Sequence, residues 1–248
     1  MTNHLKKSWK HIAAVGYLAF MASAWAGSYD DFFKAVQLDN PRGVEALLQR
    51  GFDPNTVNPE GVPALIKALQ EQSFKVASVL ASQEQTRIDV RNARDESPLM
   101  LAALRGQETL VVHLVSRGAA VNKSGWTPLH YAATGGHLRV AAFLIGAHAD
   151  VNAESPNGTT PLMMAAMYGT PEVVQLLLDE GADASLKNQL GMTALDFAKQ
   201  GNRKDAIQML QALPKSMDHV CGIRVFAQGF AQSNHGEPDK DSGCTGFL

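Results

Sequence analysis

TPLHYAATGGHLRVAAFLIGAHA, Thr127–Ala149, carries two histidines, two threonines and a tyrosine within its first eleven residues. Such a cluster is either chemistry or architecture, and the choice decides the fold. The stretch has copies. SPLMLAALRGQETLVVHLVSRGA from Ser97 and TPLMMAAMYGTPEVVQLLLDEGA from Thr160 align with it without a gap. TALDFAKQGNRKDAIQMLQ from Thr193 continues the series, and FFKAVQLDNPRGVEALLQRG from Phe32 and PALIKALQEQSFKVASVLAS from Pro63 precede it. One small alanine marks the phase: Ala35, Ala68, Ala102, Ala132, Ala165 and Ala198, separated by 33, 34, 30, 33 and 33 residues. Self-similarity at a fixed period of this size signals a solenoid, in which one supersecondary unit is stacked on copies of itself.

A single copy reads as two helices. Thr160 caps the first with its hydroxyl, and Pro161 suits the first helical position, where no N–H partner is lost. Leu162, Ala165 and Ala166 give that helix a narrow apolar face whose small residues admit a close neighbour. Gly169, Thr170 and Pro171 stop it and start another. Val173, Val174, Leu176, Leu177 and Leu178 make the second helix apolar around much of its circumference, as flanking copies on both sides require. Gly181 then supplies a left-handed end without steric cost.

The series resembles the ankyrin repeat, whose period is 33 and whose T-P-L-H-x-A signature stands at Thr127–Ala132. The resemblance runs from residue 28 to about residue 213. It implies an all-α ankyrin-repeat solenoid of about six helix-turn-helix repeats with short β-hairpin fingers, serving as a protein-binding scaffold without catalysis. It also assigns the two histidines: His130 ties the Thr127 turn to its neighbours, and His137 starts the second helix.

Departures from the repeat are informative. Three residues fewer separate Val121 from Ala132 than Val151 from Ala165, so the finger reading NKSGW is clipped. His148 stands where Gly51, Gly118 and Gly181 stand elsewhere, which a histidine tolerates at positive φ. The second repeat lacks the threonine cap and runs on through SQEQTRIDVRN, predicting a longer, less regular end. The polar openings SYDD in the first copy and KQGNRKD in the last read as caps that keep terminal apolar faces from water.

The ends differ from the body. Lys6, Lys7 and Lys10, the apolar stretch IAAVGYLAFMAS and the small-x-small site Ala24–Trp25–Ala26 form the pattern of a cleavable export signal over residues 1–26. The apolar run falls short of the roughly 20 residues a membrane span needs. The expected product is a periplasmic or secreted monomer with no membrane attachment after cleavage. Loss of three lysines and no acid leaves 19 basic against 24 acidic residues, a net charge of −5. With no cluster of lysine and arginine, that charge argues against a nucleic-acid partner. Both cysteines, Cys221 and Cys244, lie in the tail, residues 214–248, where an oxidising compartment favours one disulfide. The alternative is a thiol-redox role for Cys221, which has Asp218 and His219 beside it.

Catalytic signatures are missing. His130 and His137 are seven residues apart across two glycines rather than one helical turn, and no phosphate loop, nucleophile elbow or dinucleotide fingerprint occurs. No cofactor is expected. The chemistry expected is recognition of a protein, with a secreted effector acting on a host protein as a variant of the same reading. By the resemblance, contacts fall on finger residues just before each cap, Glu96, Trp126, Thr159 and Met192, and on the exposed ends of first helices, Leu104, Arg105, Thr134, Met167 and Tyr168. Trp126 and Tyr168 stand out because aromatic side chains dominate binding interfaces. Trp126 has a second reading, as packing over the clipped finger.

Overall fold

A computed structural model describes residues 27–213. The expected signal segment, residues 1–26, and the tail with Cys221 and Cys244 lie outside the described residues. Within them the chain forms six helix pairs: α1 (residues 27–37) with α2 (Pro41–Gln49), α3 (Ala64–Gln70) with α4 (Phe74–Ser82), and α5 (Pro98–Leu104) with α6 (Glu108–Ser116). Then come α7 (Pro128–Gly135) with α8 (Leu138–Gly146), α9 (Pro161–Tyr168) with α10 (Pro171–Asp179), and α11 (Ala194–Gln200) with α12 (Lys204–Ala212). From α3 onward the odd-numbered helices, the inner row, pack on one another more closely than the even-numbered ones do. Fully buried alanines at 102, 103, 132, 133, 165 and 166 permit that approach.

The alanine that marks the phase also closes each inner helix. Its carbonyl accepts the N–H of the residue five positions later: Asn40 to Ala35, Ser73 to Ala68, Gln107 to Ala102, His137 to Ala132 and Arg203 to Ala198, at 2.8–3.1 Å. The intervening residue is left-handed each time, as Asp39, Gln72, Gly106, Gly136 or Asn202. The fifth repeat differs. Pro171 at the start of α10 drives Thr170 into extended backbone, and Gly169 follows at φ −77° and ψ −158°.

His148 takes φ 64° at the end of α8, as its place in the glycine series requires, and the N–H groups of His148 and Ala149 close the helix on Ile145 and Leu144. The polar caps are exposed at both ends: Asp30, Asp31 and Lys34 in the first helix, Lys199, Gln200, Lys204 and Asp205 in the last pair. Phe32 is buried beneath them against Phe52, with ring centroids 4.5 Å apart.

The irregular end of the second repeat has a definite partner. α4 stops without a left-handed residue, its cap Gln83 being extended, so its last carbonyls lack the usual closure. Arg117, at the end of α6, reaches back to supply it. Its guanidinium donates to the carbonyls of Ala81 at 2.5 Å, Gln83 at 2.8 Å and Glu84 at 2.9 Å, and His113 Nε2 donates to Ala81 at 3.1 Å. A cation at a helix C-terminus also meets the negative end of the dipole. Arg117→Ala is expected to lower stability by about 2 kcal/mol, read as a shifted urea midpoint with unchanged slope.

The fingers correct one expectation. Among the described residues they carry a single β-bridge, Val57 to Pro63, and no strand ladder. Side chains replace the ladder. In four fingers one polar residue donates its N–H to the carbonyl four residues on and takes that residue's N–H on its side chain. The pairs are Asn58 with Val62, Asn92 with Glu96, Ser155 with Thr159 and Asn188 with Met192.

Candidate protein-binding surface

A second asparagine set ties finger to finger. Asn55 accepts from the Arg87 N–H at 2.8 Å and donates to the Gln85 carbonyl at 2.9 Å. Asn122 does the same with Asp150 and His148, and Asn152 with Asp183 and Gly181. Finger four, shortened to seven residues from Ala120 to Trp126 against ten from Asp150 to Thr159, has one asparagine for two tasks. Asn122 is spent on the ladder between fingers. Its tip therefore lacks the side-chain closure the other four have. The finger before it is short too, with eight residues from Asp89 to Glu96, and has Arg91 in place of the ladder asparagine.

The shortening opens a cleft of about 440 Å³ between the third and fifth fingers. Arg94 and Asp95 form one wall, Glu154 and Pro156 the other, and Lys123 and Trp126 line the stub between them. Lys123 is ion-paired across the stub with Asp95, whose carboxyl the ammonium holds below the usual range. Arg94 is likewise paired with Glu96 at 3.1 Å. Trp126 is half-buried and meets the His130 imidazole at 5.2 Å in a T-shaped contact, so it packs on the stub and lines the cleft together.

His130 itself is fully buried. Its Nδ1 accepts from the Thr127 N–H at 3.2 Å and from the Thr127 hydroxyl at 2.9 Å, and its Nε2 donates to the Thr159 carbonyl at 2.9 Å in the next repeat. These partners require the neutral ring protonated on Nε2. Burial pushes the imidazole down to about 4, against the opposing pull of the Thr159 carbonyl and the Asp150 charge. His137 caps α8 and donates through Nε2 to the Leu104 carbonyl of the previous repeat at 3.0 Å. Both histidines are thus bonded into repeat contacts. Among the described residues no group of three or more histidine, cysteine, aspartate or glutamate side chains could hold a metal.

The residues proposed from sequence for partner contact divide into two sets. Glu96 is 8% exposed, and Thr159 is buried. Both are finger-closing residues: Glu96 also takes Asn92 Nδ2 at 2.6 Å and the Tyr131 hydroxyl at 3.1 Å, while the Thr159 carbonyl receives His130. Burial leaves them little surface to offer a partner. Met192, half-buried, closes its finger on Asn188. Trp126 occupies the same pre-cap position and has no such duty.

At the ends of the inner helices Leu104, Thr134 and Met167 are half-buried, with the Thr134 hydroxyl donating to the His130 carbonyl at 2.7 Å. Arg105 is exposed, and Tyr168 is 54% exposed. Leu190, the most exposed large apolar residue among those described, sits on the last finger tip, where the other fingers carry Glu60, Arg94, Ser124 and Asn157.

Models of ankyrin repeats in three copies match residues 32–122, 80–155 and 142–219. The chain is 35% identical over 108 residues to an ankyrin repeat and SAM domain-containing protein of Rattus norvegicus, covering 42% of this chain and 12% of that one. It is 30% identical over 129 residues to the tyrosine-protein kinase Shark of Drosophila melanogaster, covering 50% and 14%. A glycerophosphocholine phosphodiesterase of Schizosaccharomyces pombe is 35% identical over 104 residues, covering 40% and 9%. The chain spans less than a sixth of the length of each of these relatives. Their names carry different activities, so what the similarity conveys is architecture. The period, the helix pairs, the capping residues and the matched segments agree: this chain belongs to the ankyrin-repeat family.

Proposed function

We propose that this chain is an exported, non-catalytic scaffold that binds a partner protein along its inner side, through the fingers and the exposed ends of the inner helices. Ankyrin repeats are in general protein-binding scaffolds. The observation that carries the finer reading is the position of Trp126: every other described residue at its place in a finger closes that finger, whereas Trp126 lines an open cleft. Tyr168, exposed where the repeat demands nothing of it, supports the same side. Export rests on the pattern of residues 1–26 and is checked by fractionation and an N-terminal mass beginning at Gly27.

The test of binding is retention from a periplasmic or culture extract on the immobilised chain, with a retained protein identified and titrated. Replacing Trp126 and Tyr168 together with alanine is expected to weaken that interaction at least tenfold, because exposed aromatics carry a large share of interface energy. An interaction that survives both substitutions overturns this reading, as does retention of nothing.

A further inference from the structure

The cleft beside Trp126 has a definite electrostatic character. Both of its basic groups are committed to carboxylates, Arg94 to Glu96 and Lys123 to Asp95. The Lys123 side chain is only 14% exposed, so it is wall rather than reach. Glu154 is exposed, faces the same space, and has no hydrogen bond or ion pair among the described residues. The charge left uncompensated in the cleft is therefore negative.

An indole wall beside an uncommitted carboxylate selects a flat cation. We propose that the cleft left by the shortened fourth finger is a recognition pocket for an arginine side chain of a protein partner, stacked on Trp126 and paired with Glu154. This rests on the scaffold reading and adds the chemistry of what the scaffold recognises. A guanidinium stacks on an aromatic face and presents a fork of donors to a carboxylate at the same time, which a lysine ammonium cannot do.

The far wall is held in place, which favours a preformed pocket. Gln189 in the sixth finger donates through its side chain to the Pro156 carbonyl at 2.8 Å and through its N–H to Asn157 at 2.9 Å. Pro156 in turn lies over Gly125, where a Cβ would stand 3.5 Å from its ring. On the opposite wall, the Lys123–Asp95 pair pins the stub to the third finger.

The sequence supplies the probe. Of three tryptophans, Trp9 and Trp25 lie within residues 1–26, so Trp126 is the only one from residue 27 onward. The purified chain is titrated with acetyl-Gly-Arg-Gly-amide, its lysine counterpart and its neutral citrulline counterpart. Indole fluorescence is read against the same chain carrying Trp126→Phe. The arginine peptide should give a saturable change in the millimolar range, with lysine at least threefold weaker and citrulline at least tenfold weaker. Glu154→Gln should weaken the arginine peptide at least fivefold and leave the thermal midpoint unchanged. No saturable response, equal responses to arginine and citrulline, or indifference to Glu154→Gln each overturns the pocket. The scaffold reading fails separately: a captured partner that needs Trp126 and Tyr168 but ignores Glu154→Gln removes the arginine pocket and keeps the scaffold.

Discussion

Replacing His130 with alanine is expected to cost about 3 kcal/mol of stability at pH 7, and replacing it with methionine about half as much. Alanine empties a fully buried site and strands two groups, the Thr127 N–H and the Thr159 carbonyl. Methionine is already the repeat's alternative here. Met100 Sδ lies 3.3 Å from the Ser97 N–H, and Met163 Sδ lies 3.5 Å from the Thr160 N–H, the same capping position one repeat away on either side. Only histidine adds an arm into the next repeat, so the loss in His130→Met measures that arm, and the further loss in His130→Ala measures the cavity and the stranded Thr127 N–H.

The same residue makes stability depend on pH. The folded imidazole titrates at about 4 and the unfolded one at 6.5. Between those values the unfolded chain binds a proton that the folded chain does not, so stability falls as pH falls. The loss from pH 7 to pH 5 should be about 2 kcal/mol, rising to about 3 by pH 4. The upper part of this window lies above the carboxylates. Asp95 and Asp196, held low by Lys123 and by the Thr193 N–H and hydroxyl respectively, give up their contribution only at lower pH. Urea denaturation at pH 7, 6 and 5 checks this, with His130→Met as the reference. The variant should be nearly flat across the window, and a slope equal to that of the unsubstituted chain would remove His130 as its source.

What could be read from the sequence was whatever repeats. The phase alanine, the capping threonines and the left-handed His148 are local devices that recur, and the structure uses them as the spacing implied. The contact surface was less legible, because alignment gave Glu96, Trp126, Thr159 and Met192 one position and hence one expected role. An asparagine or serine four residues earlier accompanies every finger-closing residue but does not by itself set them apart from Trp126. Asn92, Ser155 and Asn188 close their fingers; Asn122 stands four before Trp126 but is drawn off to His148 and Asp150. Arg117 could not be foreseen. It closes a helix 33 to 36 residues behind it, and nothing around it in the chain records that α4 ends unclosed.

Gly169→Ala is the second substitution with a large expected effect, about 3 kcal/mol of destabilisation. The reason is contact rather than conformation. Gly169 is buried at φ −77°, which an alanine accepts, but a Cβ there would stand 2.5 Å from the Ala133 carbonyl oxygen and 2.9 Å from the Ala165 Cα and carbonyl oxygen. All three are backbone atoms, so no side chain can swing aside. Relief requires moving α9 away from α7, whose apposition through Ala132, Ala133, Ala165 and Ala166 is among the tightest in the array. Because neighbouring repeats stabilise each other through such interfaces, the damage should spread to the repeats on either side. Hydrogen exchange should show protection lost in both α7 and α9. Gly146→Ala is the control. At the exposed end of α8 an added Cβ meets nothing within 4 Å, and replacing a helical glycine should raise stability by about 0.5–1 kcal/mol. Equal small effects at the two glycines would mean that the α7–α9 contact yields at little cost, and that the close approach of the inner helices is not what holds the middle of the array together.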